Sequence, residues 1–130
     1  MRLFIVRHTE AALGEPDDLR PLTEAGREHA RLLGQRFADD GIHPDAVLSS
    51  PLLRARETAA EIAKAVGVAA EADERLAPGA DPDDVRAATS GRGETVVVVG
   101  HQPDCGRTVA AFSGGPEPAF PPGAVVAVEV

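Results

Sequence analysis

At 130 residues the chain suits one domain with a single buried core, and residues 1–130 are read as that domain. Apolar residues make up 43% of it and charged residues 26%, the balance of a soluble globular protein. A formal net charge of −8 argues against a nucleic-acid or anionic-membrane surface, which needs clustered Lys and Arg, yet leaves room for a local anion pocket.

Leu3 to Val6 is a continuous apolar run, which predicts a strand buried on both faces of a parallel sheet; it ends at Arg7-His8. The run is too short for a signal peptide or a membrane span, and the cytoplasm is the expected compartment. Thr23 reads as the N-cap of a helix with Ala30, Leu33 and Phe37 at helical spacing and Gly41 at its end. Val47 and Leu48 open a second strand, which stops at Ser49-Ser50-Pro51. Ser50 reads as the next N-cap and Pro51 as the first helical residue. Ala55, Ala59, Ile62 and Val66 mark that helix's buried face, and Gly67 ends it.

Residues 67–80 read as a short strand or a loop. Asp81 to Thr89 reads as a short helix with Pro82 in its first position, and Pro103 to Phe112 as another. Between them Thr95 to Val99, β-branched throughout, predicts a strand ending at Gly100-His101. Ala124 to Val130 reads as a last, edge strand entered through Pro121-Pro122-Gly123. The alternation predicts an α/β fold, a mostly parallel sheet flanked by helices on both faces, with the last strand free to run antiparallel.

In open α/β sheets ligands sit just outside the carboxyl ends of the strands. Three such ends deliver Arg7-His8, Gly100-His101 and, one helical turn on, Arg54. Two imidazoles and two guanidiniums suit a phosphoryl group. The planar fork of Arg matches phosphate oxygens, and a neutral imidazole can attack phosphorus and carry the group covalently. Positioning and charge stabilisation then do most of the catalysis.

Four segments occur in order along almost the whole chain. They are Arg7-His8, Pro21-Leu22-Thr23-Glu24-Ala25-Gly26, Ser49-Ser50-Pro51-Leu52-Leu53-Arg54-Ala55-Arg56-Glu57-Thr58-Ala59, and Gly100-His101. Together they resemble the histidine phosphatase superfamily, which includes the phosphoglycerate mutases. The short length, the stretch from Glu74 to Pro82, and Gly100-His101-Gln102-Pro103 are most similar to the phosphohistidine phosphatase (SixA) branch. The resemblance implies a phosphoglycerate mutase-like fold and a hydrolase working through phosphohistidine. It implies that His8 is the nucleophile, that Arg7 and Arg54 bind the phosphoryl oxygens, and that His101 contacts and stabilises the same group. Arg56, two positions on, faces elsewhere on a helix.

Two departures stand out. Thr9 occupies the position where the family often has glycine. No carboxylic acid matches the family's Leu-x-Glu proton donor, since Ala77 and Pro78 follow Leu76, and Glu74 precedes it. An alkoxide leaving group needs such an acid far more than an imidazole does. The expected substrate is therefore phosphohistidine on a phosphorylated protein, such as a phosphohistidine-bearing domain. A small phosphate ester, or a non-catalytic phosphohistidine-binding module, is the alternative.

The remaining candidates read as structural. His29 and His43 suit solvated or capping positions, and Cys105 suits a small packing residue. The acidic run Glu15, Asp17 and Asp18 reads as a solvated loop, with one carboxylate able to orient Arg20 or a site group. A metal held by His8, His101 and Asp104 is disfavoured by the arginines nearby, so neither metal nor cofactor is expected.

Overall fold

The computed structural model describes residues 1–130. Its strands are β1 (Arg2–Arg7), β2 (Ala46–Ser49), β3 (Ala70–Ala72), β4 (Thr95–Gly100) and β5 (Val125–Glu129). They form one sheet in the order β3-β2-β4-β1-β5. All pairings are parallel except β1 with β5, which is antiparallel at the edge. The helices are α1 (Glu24–Asp39), α2 (Leu53–Val66), α3 (Pro82–Thr89) and α4 (Asp104–Ser113), with short 3-10 turns at Asp17–Leu19 and Glu74–Leu76. None of the helices is long and apolar enough to cross a membrane.

The apolar strand runs follow from cover on both faces. Side chains alternate across a strand. Phe4, Val6, Val47, Val97 and Val99 pack with Leu33 and Phe37 of α1 and with Ala55, Ala59 and Ile62 of α2. Leu3, Ile5, Leu48, Val96 and Val98 pack on the other side with Val85 and Ala88 of α3 and Cys105 and Val109 of α4. Each fully buried Leu, Ile or Val contributes on the order of 1.5–3 kcal/mol, so the two faces carry most of the folding drive. The chain steps from β1 to β2 to β3 in one direction and returns to β4 in the other. Right-handed crossovers then require α1 and α2 on one face and α3 on the opposite face.

The helix boundaries follow local chemistry. Thr23 caps α1 by accepting from the Gly26 amide at 2.9 Å. Gly67 closes α2 in the left-handed conformation, with φ of 78°. Asp81 and Asp84 form a reciprocal capping box on α3. Residues 67–80 hold both a short strand, β3, and a 3-10 turn.

One expectation is corrected. Pro51 does not open α2, which begins at Leu53 with Leu52 in the cap position. The Ser50 amide still donates to Val99 O at 3.0 Å, so the chain is tied to the sheet there. The Ser50 hydroxyl accepts from the Leu52 amide at 3.2 Å and also meets His101, so it braces the turn before the helix.

The start of α1 is pressed against the segment following β1. The Thr23 amide donates to Glu10 O at 3.0 Å. A Cβ on Gly26 would lie 2.1 Å from that same carbonyl oxygen, so only glycine allows the approach. Gly26→Ala is expected to lower stability by about 1–3 kcal/mol, the usual cost of overpacking a tight contact. A urea melt tests this; an unchanged midpoint would show that the contact is not tight.

Candidate active site

The parallel register places Arg7 opposite Gly100. The next residues, His8 and His101, therefore leave neighbouring strands at the same height. Their rings lie 5.2 Å apart between centroids, tilted by 58°. β2 flanks β4 on its other side and ends at Ser49, aligned with Val99. Its continuation through Ser50 leads to Arg54 in the first turn of α2. Arg7, His8, Arg54 and His101 thus line one cavity of about 240 Å³, together with Arg20, Gln102 and Pro78. No apolar side chain other than Pro78 lines it, and no carboxyl group does.

Each group is held by a specific contact. His8 Nδ1 donates to Thr9 O at 2.7 Å, since a carbonyl can only accept. Nδ1 then carries the proton and the Nε2 lone pair is free. Arg7 donates to Phe120 O at 3.0 Å. Arg54 is 8% exposed and donates to Asp17 through both terminal nitrogens, to the backbone oxygen at 2.8 Å and to the carboxylate at 3.2 Å. His101 Nε2 and the Ser50 hydroxyl are 2.7 Å apart. Two buried side-chain polar atoms have no hydrogen-bond partner, Arg7 Nε and His101 Nδ1, and both belong to this site. Unpaired buried polar groups are costly and concentrate where function demands them.

Thr9, which stands where a glycine is often found, is fully buried and works as a tie. Its hydroxyl donates to Gly26 O at 2.7 Å, and its amide donates to the Thr58 hydroxyl at 3.2 Å. Thr58 lies one turn after Arg54 and donates back to Arg54 O at 2.9 Å. Glu57 accepts from the Leu22 amide at 2.8 Å and from Arg27 at 2.9 Å. Side chains of α2 therefore lock the ends of the 9–22 segment against the helix.

A family model described as the histidine phosphatase superfamily (branch 1) matches residues 3–78. The chain belongs to the histidine phosphatase superfamily. It is 33% identical over 125 residues to phosphohistidine phosphatase SixA of Escherichia coli (strain K12), spanning 91% of this chain and 78% of that one. It is 37% identical over 124 residues to an uncharacterised protein of Picosynechococcus sp., spanning 88% of this chain and 74% of that one. A solved structure of the protein histidine phosphatase SixA complexed with tungstate superposes with a TM-score of 0.90 at 32% identity. The match covers 100% of this chain and 88% of that one. The phosphoglycerate mutase-like fold expected from the motifs is the fold observed.

Several side chains of this histidine phosphatase sit away from the cavity. Arg56, His29, His43 and Glu74 are exposed and do not line it. Cys105 is buried, and burial pushes its thiol up to about 12, so it packs and is not a nucleophile near neutral pH. The Asp104 carboxylate accepts from the Gly79 amide at 2.9 Å, anchoring the turn that carries Pro78. No three His, Cys, Asp or Glu side chains converge as a metal site requires. A separate concavity of about 270 Å³ between α1 and β5 is lined by Phe4, Leu33, Phe37 and Ile42, and offers no partner for a phosphoryl group beyond Arg36 and His29.

Two positions escaped the sequence reading. Arg20 lines the cavity as a third guanidinium, held by Ala12 O at 2.8 Å and Asp17 at 2.9 Å. Ser50 braces His101 instead of capping a helix. Nothing in the periodicity marks either one, although the acidic residues near Arg20 hinted at its restraint.

Both imidazoles favour the neutral form. For His8 burial is the main cause. The Thr9 carbonyl opposes it, and the charges of Arg54, Arg7 and Arg20 reinforce it. The arginines are thus secondary to desolvation. His101 is pushed down to about 4 by burial, then by His8 and Arg54. The unfolded chain, at the ordinary 6.5, binds more protons than the folded one between these values, so stability falls as pH drops from 6.5 toward 4. An NMR titration of the ring protons should give midpoints below 6.5 for His8 and near 4 for His101. Midpoints at or above 6.5 for both would contradict this electrostatic account.

Proposed function

We propose that this histidine phosphatase removes phosphate from phosphohistidine on a protein, through a covalent phosphoryl group on His8. The observation that carries the reading is the His8 Nδ1 bond to Thr9 O, which frees Nε2 beside three cavity-lining guanidiniums. The Nε2 lone pair attacks phosphorus in line, and the substrate P–N bond breaks with its electron pair returning to the departing ring. Water then attacks phospho-His8, inorganic phosphate leaves, and Nε2 recovers its lone pair. Arg7, Arg20 and Arg54 bind the three phosphoryl oxygens as charge spreads over them, and His101 supports the same group. No step routes through a metal or cofactor.

The leaving group decides between substrates. No carboxyl group lines the cavity to protonate an alkoxide, whereas imidazole leaves without that help. The kinship with SixA, a protein histidine phosphatase, supports the same choice. The cavity is polar, with no apolar wall beyond Pro78 to grip the body of a small ester, which suits a side chain presented by another protein.

Phosphate release from a phosphohistidine peptide is expected for wild type and should fall at least about a thousandfold in His8→Ala, since the nucleophile itself is removed. His101→Ala should retain measurable turnover and lose about tenfold to a hundredfold. Release by His8→Ala near the wild-type rate would overturn covalent catalysis at His8. Tight binding of the peptide with no release by wild type would favour a binding module.

A further inference from the structure

We propose that Asp17 recognises the leaving imidazole of a phosphohistidine substrate, accepting the N–H of the ring nitrogen remote from phosphorus as the P–N bond breaks. This rests on the phosphohistidine reading above and assigns its selectivity over esters to one side chain.

Asp17 opens the 3-10 turn in the loop between β1 and α1. Its carboxylate is gripped from two sides, by Arg20 at 2.9 Å and by Arg54 at 3.2 Å. Both arginines line the phosphoryl cavity, while the Asp17 side chain is 65% exposed. The carboxylate is therefore held against two guanidiniums of the cavity wall while its outer side faces solvent. A carboxylate offers about four lone-pair sites, and two donors leave the others open to an incoming N–H. Arg20's hydrogen bond, followed by Arg54's, holds this carboxyl below the usual carboxylate range, so it is an acceptor and not an acid at neutral pH.

In-line attack fixes where the leaving group lies. His8 approaches phosphorus from within the cavity, so the bond that breaks points outward. A phosphohistidine protonated on its remote nitrogen sheds neutral imidazole and keeps that N–H. The P–N electron pair returns to the ring nitrogen that held phosphorus, and no further proton is required. A carboxylate beside the remote N–H stabilises the protonated ring before and during cleavage. For an ester the same carboxylate faces an oxygen gaining negative charge, which it repels. Asp17 thus favours one leaving group and disfavours the other.

A purely structural role, keeping Arg20 and Arg54 in place, would affect all substrates alike. The test is kcat/KM of wild type, Asp17→Asn and the control Asp18→Asn on a phosphohistidine peptide and on p-nitrophenyl phosphate. The ratio of the two kcat/KM values should fall about tenfold or more in Asp17→Asn, the effect of losing a charge-assisted hydrogen bond. It should move less than about twofold in Asp18→Asn, whose neighbouring exposed carboxylate bonds neither arginine. Equal losses on both substrates in Asp17→Asn, or a greater loss on the ester, would overturn the inference. A wild type that cleaves the ester and leaves the phosphohistidine peptide intact would instead overturn the substrate reading beneath it.

Discussion

Arg7 and Gly100 face each other across the parallel ladder of β1 and β4, and the candidate site inherits its geometry from that pairing. A shift of one residue would turn the side chains of β1 to the opposite face and separate His8 from His101. The register is fixed by burial. Both strands are covered on both faces, so Phe4 and Val6 must meet the α1 and α2 side while Leu3 and Ile5 meet the α3 and α4 side. The same packing that stabilises the sheet therefore aims two imidazoles and an arginine at one point.

Around that point the other family segments act mainly as restraints. Thr23 and Gly26 fasten the loop after β1 to the start of α1, and Glu57 and Thr58 fasten it to α2. Within that loop Asp17 bridges Arg20 and Arg54. An acidic chain can in this way present three guanidiniums to an anion, because the carboxylate that restrains two of them is exposed to solvent and is not part of the cavity wall. Rigid placement before the ligand arrives is what makes such charges effective in catalysis.

The strands, the helices and their two-sided cover were legible because apolar runs and caps are local signals. Val96 to Val99 and the Thr23 cap needed no tertiary information. His8, Arg7, Arg54 and His101 were legible from strand ends and motif order, and the structure brings all four to one cavity. Ser50 misled because a serine before a proline has the chemistry of a cap, while its hydroxyl, besides the local Leu52 amide, meets His101, 51 positions away. Asp17 was legible as a carboxylate able to orient Arg20, three positions on, but its second partner was hidden. Asp17 reaches Arg54 across 37 positions, and no periodicity encodes such a pairing. The weight of burial over charge at His8 also depends on tertiary packing alone.

The central claim is that His8 is poised by its Nδ1 bond to Thr9, so that Nε2 receives the phosphoryl group. The most direct test is phosphorus–nitrogen NMR on ¹⁵N-histidine-labelled protein quenched in alkali during turnover of a phosphohistidine peptide. The account predicts phosphorus coupled to Nε2 of His8 and to no other nitrogen. Phosphorus on Nδ1 of His8, or on His101, would contradict it.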